Sequence, residues 1–341
     1  MNVLIEPLAD SLPRLLKENA YSKIAVLVDE NTKKHCYPAL KPLLPKHTLI
    51  QIRSGEENKH LATCEKIWEV MTQAEFDRHS LLLNLGGGVI GDMGGFCAAT
   101  YKRGVSFMQI PTTLLAQVDA SVGGKLGVDF RGFKNHIGVF QEPRAVLVDA
   151  TFLRTLPPTE MRSGFAEIIK HCLIADAAQW EHIRKRDFEK QHWPDLIVHS
   201  IAIKAEVVRQ DPIEKGLRKI LNFGHTIGHA VESYFLTQPR KKLLHGEAIA
   251  VGMIAESYLS HQRHLLDLAS LEHVEEFIFS VFGRVPITEA DIEQILPLTL
   301  QDKKNLDGKV KAVLLEGIGK AKFDVEITAR EMREALMYYR G

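Results

Sequence analysis

Between Arg218 and Glu232 the chain reads RKILNFGHTIGHAVE, and its polar residues are types that do chemistry rather than types that solvate a surface. At about 100° per residue, a helix over this stretch gathers Arg218, Asn222, His225 and His229 into one narrow arc. Ile220, Phe223, Ile227 and Val231 fall opposite. A solvated face ordinarily carries Lys, Glu and Gln, whereas this one carries two imidazoles, an amide and a guanidinium. Two histidines at i, i+4 suit a divalent metal. His-x-x-x-His alone is as readily a pair of surface histidines, and the metalloprotease pattern with Glu after the first His is absent. Gly224 and Gly228 each lower helix propensity by roughly 1 kcal/mol, so a close backbone neighbour is expected there.

Other stretches could complete such a site. SGFAEIIKH places Glu167 and Lys170 at i, i+3 on one helical side, as an ordinary ion pair or as part of a site. His245 opens the very apolar AIAVGMIAESY helix, as a cap or a ligand. Glu167, His225 and His245 would together offer a Glu/His/His metal set with open positions for water or substrate hydroxyls. GGGVIGD (86–92) follows a strand and precedes a helix, where bare amides can cradle a pyrophosphate. Its spacing is not the G-x-G-x-x-G of the common dinucleotide fold, and a purely structural turn is the alternative. Asp29 ends the first strong strand and could hold an adenosine ribose or merely make a turn. The glycine-rich stretch 119–138 reads as a loop, functional with Lys125 and Lys134 suiting an anionic ligand, or merely mobile and solvated.

The elements that must position these residues fall into two patterns. IAVLVD (24–29), TLIQI (48–52), LLLNL (81–85), SFMQI (106–110) and AVLVD (145–149) read as buried parallel strands alternating with helices. Thr112 and Thr113 can cap the helix LLAQVDA. Beyond LPP (156–158) the period becomes helical, over 159–175, 195–210, 218–236, 246–260 and 270–282. A hairpin or loop over 309–327 and a last helix complete the chain. The expectation is an α/β domain over 1–155 with a mostly parallel sheet, followed by an all-α domain over 156–341.

Composition narrows the function classes. The 341 residues are 45% hydrophobic and 25% charged with zero formal net charge, which argues against nucleic acid as the main partner. Four scattered cysteines without a C-x-x-C pair fit buried thiols in a reducing compartment. The N-terminus shows no basic region before a long apolar run, and the least charged stretch, 81–100, is broken by glycines, Asn84 and Asp92. A soluble, cytoplasmic protein is the expectation.

Taken together, GGGVIGD, IPTTLLAQVDASVGGK, GFAEIIKH, LNFGHTIGHAVE, HGEAIAVGM and QDKK resemble, in order and over nearly the whole chain, the 3-dehydroquinate synthase family. The resemblance implies a nucleotide-binding α/β domain, a helical domain and an active site in the cleft between them. It implies metal ligation by Glu167, His225 and His245, for zinc or cobalt. NAD would be met by Asp29, Glu56, Lys59, Gly88, Val89, Ile90, Gly91, Asp92, Thr112, Thr113, Phe152 and Thr155, with Asp119, Lys125 and Lys134 beside it. Substrate carboxylate, hydroxyls and phosphate would be met by Lys125, Asn135, Lys170, Lys204, Arg218, Asn222 and His229. One of Lys303 and Lys304 would join them, and Arg103 would reach the phosphate from the partner of a homodimer. Phe133 stands where the family usually has Gly, Lys102 makes TYKRG of the commoner TYMRG, and the 232–244 segment is long and basic.

The implied reaction converts 3-deoxy-D-arabino-heptulosonate 7-phosphate to 3-dehydroquinate. Transient NAD oxidation is followed by β-elimination of phosphate, re-reduction, ring opening and aldol closure. Three other readings compete: a metal- and NAD-dependent polyol dehydrogenase, a sister sugar phosphate cyclase, and a non-catalytic NAD- or metal-binding regulator. The dehydrogenase has no need of so many cations, and the regulator would be expected to have lost a ligand.

Overall fold

The computed structural model describes residues 2–131, 133–238, 242–299 and 310–341. The chain divides into two compact units, Met1–Pro157 and Pro158–Gly341. In the first, strands β1 (Val3–Ile5), β2 (Ile24–Val28), β3 (Thr48–Gln51), β4 (Leu81–Gly86) and β5 (Ser106–Pro111) precede a hairpin of β6 (Lys125–Phe130) and β7 (Phe133–Phe140), and β8 (Ala145–Val148) follows. Six of these form one parallel sheet in the order β1-β8-β5-β4-β2-β3.

Both faces of the sheet are buried, which is why its strands read as unbroken apolar runs rather than alternating ones. Ala25, Leu27, Leu82 and Phe107 pack to one side, with the helices Leu61–Gln73 and Gly88–Thr100. Ile24, Val26, Val28, Leu81, Leu83 and Leu85 pack to the other, with the helix Leu8–Glu18. The period-2 side-chain alternation thus sorts one strand into two cores. Strand β1 is an addition to the sequence reading: three residues are too short a run to stand out.

The segment 119–138 is not the loop expected from its glycines. Most of it forms β6 and β7, which pair antiparallel, with Lys125 opposite Phe140 and Val128 opposite Ile137. The glycines serve close packing instead. Gly127 and Gly138 face each other across the ladder, and a Cβ on Gly138 would lie 2.3 Å from the Leu126 carbonyl.

The second unit is helical, with one antiparallel hairpin, β9 (Val310–Leu315) and β10 (Ala321–Ile327). Its principal helices are Pro158–Ala175, Trp193–Gln210, His225–Leu236, His245–Gln262, Leu268–Phe282 and Ala329–Arg340. The expected single helix through 218–236 is broken. Leu217–Asn222 is a 3-10 turn, Phe223 is extended, and Gly224 takes a left-handed φ of 76° before a new helix begins at His225. Glycine adopts that conformation without the steric cost a Cβ would bring. Arg218 and Asn222 therefore do not share a helical stripe with His225 and His229. The glycines do mark a close approach: a Cβ on Gly252 would lie 1.9 Å from the Gly224 carbonyl, and one on Gly228 would lie 3.0 Å from that of Ala248. Among the described residues no helix is long and apolar enough to cross a membrane.

Candidate active site

In the first unit, β2 sends the chain to β3 on one side while β4 lies on the other, so the order reverses between β2 and β4. Ligands of open parallel sheets bind outside the carboxyl ends of the strands at such a switch point. Asp29 follows β2 there, and Gly86 ends β4 with Gly87 and Gly88 directly after it. A Cβ on Gly86 would lie 2.5 Å from Ile90, and one on Gly87 would lie 3.0 Å from Thr113. The turn must stay bare, and it leads directly into the amide-rich N-terminus of the Gly88–Thr100 helix. These residues fit a dinucleotide pyrophosphate.

Asp29 also caps the helix Glu30–His35, accepting from the Thr32 amide at 2.7 Å. Lys59 is buried and donates to Asp92 at 2.7 Å, while Glu56 lies 3.9 Å from Lys59 and 3.8 Å from Lys134. Burial works against the Lys59 ammonium, but Asp92, Glu56 and Asp129 outweigh it and raise its pKa. Asn135, at φ 48°, donates its amide to Asp129 at 2.7 Å, so β7 is tied to the same cluster. Thr113 accepts from the Ala116 amide at 3.1 Å, as a cap, ahead of Asp119 in the next turn.

Four other residues of the set sit differently. Ile90 and Phe152 belong to the two cores, so only their backbones could face a ligand. Thr155 and Lys125 are exposed. Arg103 is exposed in a left-handed turn with Lys102, and lines a cavity of about 670 Å³ with Arg78 and Arg144 at the start of β5 and β8.

In the second unit, Glu167, His225 and His245 converge from three helices, with one ligand atom from each within 4.8 Å of the others. Glu167 is fully buried and takes an ion pair from buried Lys170 through Oε2. Its Oε1 faces His225 Nε2 at 3.4 Å and His245 Nε2 at 3.5 Å, and among the described residues no hydrogen bond of ordinary geometry reaches it. A buried carboxylate oxygen facing two imidazole nitrogens at those distances fits a divalent cation bound by all three.

The electrostatics of Glu167 and His225 point the same way. Burial pushes the Glu167 carboxyl up, yet Lys170 and His225 outweigh it and hold it well below the usual carboxylate range. Burial, with Lys170 beside it, lowers the pKa of His225. His225 Nδ1 lies 2.9 Å from the Phe223 carbonyl, which assigns the proton to Nδ1 and leaves the Nε2 lone pair towards Glu167. For His245, burial is overcome by Glu232 and Glu167, which raise the pKa to about 10. Glu232 Oε2 lies 3.4 Å from His245 Nδ1, in the place of an outer carboxylate that orients a metal-binding imidazole.

The His229 ring stands 5.1 Å from that of His225 and 6.0 Å from that of His245. Arg218 is buried and donates to the Pro212 carbonyl at 2.6 Å, while Asn222 donates to Glu214 at 2.8 Å. Lys204 is buried on a helix that packs on the 217–222 turn and on the Glu167 helix. Lys303 and Lys304 lie outside the described residues. Glu214, Glu232 and Glu256 were missed in the sequence. For Glu256, a lone carboxylate in the continuation of the apolar run 248–255 was a usable signal.

Comparison with known proteins decides the family. The description "3-dehydroquinate synthase N-terminal" matches residues 49–163, and "3-dehydroquinate synthase C-terminal" matches 164–305. The chain belongs to the 3-dehydroquinate synthase family. A 3-dehydroquinate synthase of Parabacteroides distasonis is 38% identical over 99% of this chain and 97% of its own length. One of Halorhodospira halophila is 39% identical over 95% of this chain and 92% of its own. Among solved structures, a 2-epi-5-epi-valiolone synthase of Streptomyces hygroscopicus subsp. jinggangensis, with NAD+ and Zn2+ bound, superposes with a TM-score of 0.86. It is 28% identical and covers 99% of this chain and 96% of its own. A probable glycerol dehydrogenase of Sinorhizobium meliloti shares the fold, at 17% identity, a TM-score of 0.66, and coverage of 99% and 96%.

Proposed function

We propose that this enzyme converts 3-deoxy-D-arabino-heptulosonate 7-phosphate to 3-dehydroquinate and phosphate, with NAD turned over internally and a zinc or cobalt ion at Glu167, His225 and His245. The observation that carries this reading is the buried Glu167 Oε1 facing two imidazole nitrogens, with Lys170 and His229 alongside. Relatives named for this reaction match nearly the whole chain at 36–40% identity.

A bound NAD would supply hydride transfer, and a metal held by Glu167, His225 and His245 would polarise the substrate hydroxyl. The protein's own residues do the rest. Gly88, Val89, Ile90 and Gly91 present backbone to the pyrophosphate, and Asp29 takes the ribose. Glu56, Lys59, Asp92, Thr112, Thr113, Asp119, Lys134, Phe152 and Thr155 shape the same pocket. Buried Lys204 and Arg218, with Lys125, Lys170 and Asn135, hold a doubly anionic substrate. Cations in low dielectric favour phosphate and carboxylate more than they would in water. Asn222, fixed by Glu214, orients a hydroxyl. His229 is the proton carrier, its imidazole close to both metal-binding rings.

The test is an assay of phosphate release with NAD supplied in catalytic amount, with and without a chelator. Release should continue for many turnovers, stop with the chelator, and leave NADH no higher than the enzyme concentration. Stoichiometric NADH without phosphate would leave the polyol dehydrogenase reading in its place.

The enzyme acts as a homodimer in which Arg103 serves the neighbouring subunit's phosphate. The exposed left-handed turn at Lys102 and Arg103 supports this, since such backbone conformations cost energy and cluster at functional sites. Mixing Arg103→Ala with His229→Ala subunits, each inactive alone, should restore activity at one site of each mixed dimer. Mixed dimers that form and stay inactive would remove Arg103 from that role.

A further inference from the structure

We infer that Glu256 is a positioning residue for the metal centre, fixing the turn from which His225 projects. The inference rests on the metal site proposed above. Glu256 is fully buried on the His245–Gln262 helix. Its carboxylate accepts from the amides of Gly224 at 2.6 Å, Thr226 at 3.0 Å and Ile227 at 3.1 Å. Those donors bracket His225 on both sides. The first amides of a helix lack intrahelical partners and are ordinarily met by the side chain of the N-cap residue. Here the N-cap is Gly224, which has no side chain, and the cap comes from another helix.

The source of the cap gives it a function beyond stability. Glu256 lies on the helix that begins with His245, so its three hydrogen bonds tie one metal-binding histidine to the helix of the other. Gly252, one turn earlier, touches the Gly224 carbonyl and lets the helices approach closely enough for this bridge. With the Phe223 carbonyl taking His225 Nδ1, the backbone on each side of His225 is held and its ring is oriented. The spacing of the two rings, 5.6 Å between centroids, is thereby set from outside the ligand sphere.

The experiment compares zinc affinity, by chelator competition, and the visible ligand-field spectrum of the cobalt-loaded protein. Glu256→Gln puts an amide donor against N–H groups while keeping the size of the side chain. Asp267→Ala is the control, because it removes the N-cap of the Leu268–Phe282 helix in the same unit without touching a ligand helix's first turn. Glu256→Gln should weaken zinc binding by about 10–100-fold and alter the cobalt band at full loading, as loss of an outer partner does. Asp267→Ala should leave both unchanged. Wild-type affinity and an unchanged band in Glu256→Gln would overturn the inference, as would an equal loss in Asp267→Ala. Should Glu256→Gln not fold, Glu256→Asp keeps the charge but retracts it, and an unchanged band and affinity there would also overturn the inference. A wild-type protein that binds no zinc at these residues would sink the metal reading itself, a result distinct from the others.

Discussion

At the proposed pyrophosphate turn of the first unit, what the chain offers a ligand is backbone, kept bare by Gly86 and Gly87. At the metal end of the second unit it is side chain, delivered by three helices. The two ends tolerate change differently. A backbone cradle fails when something is added, because the space for a Cβ is already occupied. A side-chain cluster fails when something is removed, because each ligand carries charge and geometry that the others cannot supply.

The largest expected effect is therefore at the metal end. Glu167→Ala, His225→Ala or His245→Ala should remove bound zinc and lower activity by more than about 10³-fold, since metal polarisation is worth several kcal/mol and each 1.4 kcal/mol is tenfold. NAD binding, followed by nucleotide fluorescence, should persist, because all three ligands lie in the second unit. Full zinc occupancy in any one variant would remove that residue from the site, and loss of NAD binding would break the separation of the two ends.

The converse change, on the helix that the bare turn opens, should affect folding before chemistry. A Cβ on Gly95 would lie 2.4 Å from Leu126 Cδ2, at the contact between the Gly88–Thr100 helix and β6. Gly95→Ala gains about 1 kcal/mol of helix propensity but must displace the Leu126 side chain, and overpacking of about 1–3 kcal/mol should leave a small net loss, measured as a slightly lower urea midpoint for the first unit. Zinc content should stay at the wild-type level. An unchanged midpoint would mean that the helix and β6 have room to separate.

These differences also govern what could be read from the chain. Five of the six strands of the parallel sheet were legible because burial on both faces makes continuous apolar runs such as IAVLV and LLLNL. The bare turn was legible because adjacent glycines after a strand have few other uses. The hairpin of β6 and β7 was not, since glycines that serve cross-strand packing look the same as glycines that serve a loop. The break at Phe223 and Gly224 was hidden for a related reason: a left-handed glycine interrupts a helix without disturbing its apolar period. Glu256 stood out as a lone carboxylate in an apolar run, but its partners lie about 30 residues away and no local pattern names them. Glu214 and Glu232 pair with Asn222 and His245 at spacings longer than the i, i+3 or i, i+4 of neighbours on a helix. The proposed metal set was nameable through the family's motifs, whereas the convergence of Glu167, His225 and His245 is a property of the folded unit.

The smallest expected effect concerns Asp29, where the sequence left a ligand contact and a turn residue as alternatives. The structure gives it a structural task, since Oδ1 accepts from Thr32 N at 2.7 Å and caps a helix. The two tasks need different properties of the side chain. Capping needs an acceptor oxygen, which Asn supplies as well as Asp, whereas Ala costs about 1 kcal/mol. Holding a ribose hydroxyl draws on the charge, because hydrogen bonds to charged groups contribute about 1.5–3 kcal/mol, roughly twice the neutral kind. Asp29→Asn should therefore keep the melting temperature and weaken NAD by about tenfold. Asp29→Ala should lower both, and the difference in melting temperature between the variants isolates the cap. If Asp29→Asn binds NAD as tightly as the wild type while Asp29→Ala is merely less stable, Asp29 is a cap alone. The ribose would then be held elsewhere on the rim between β2 and β4.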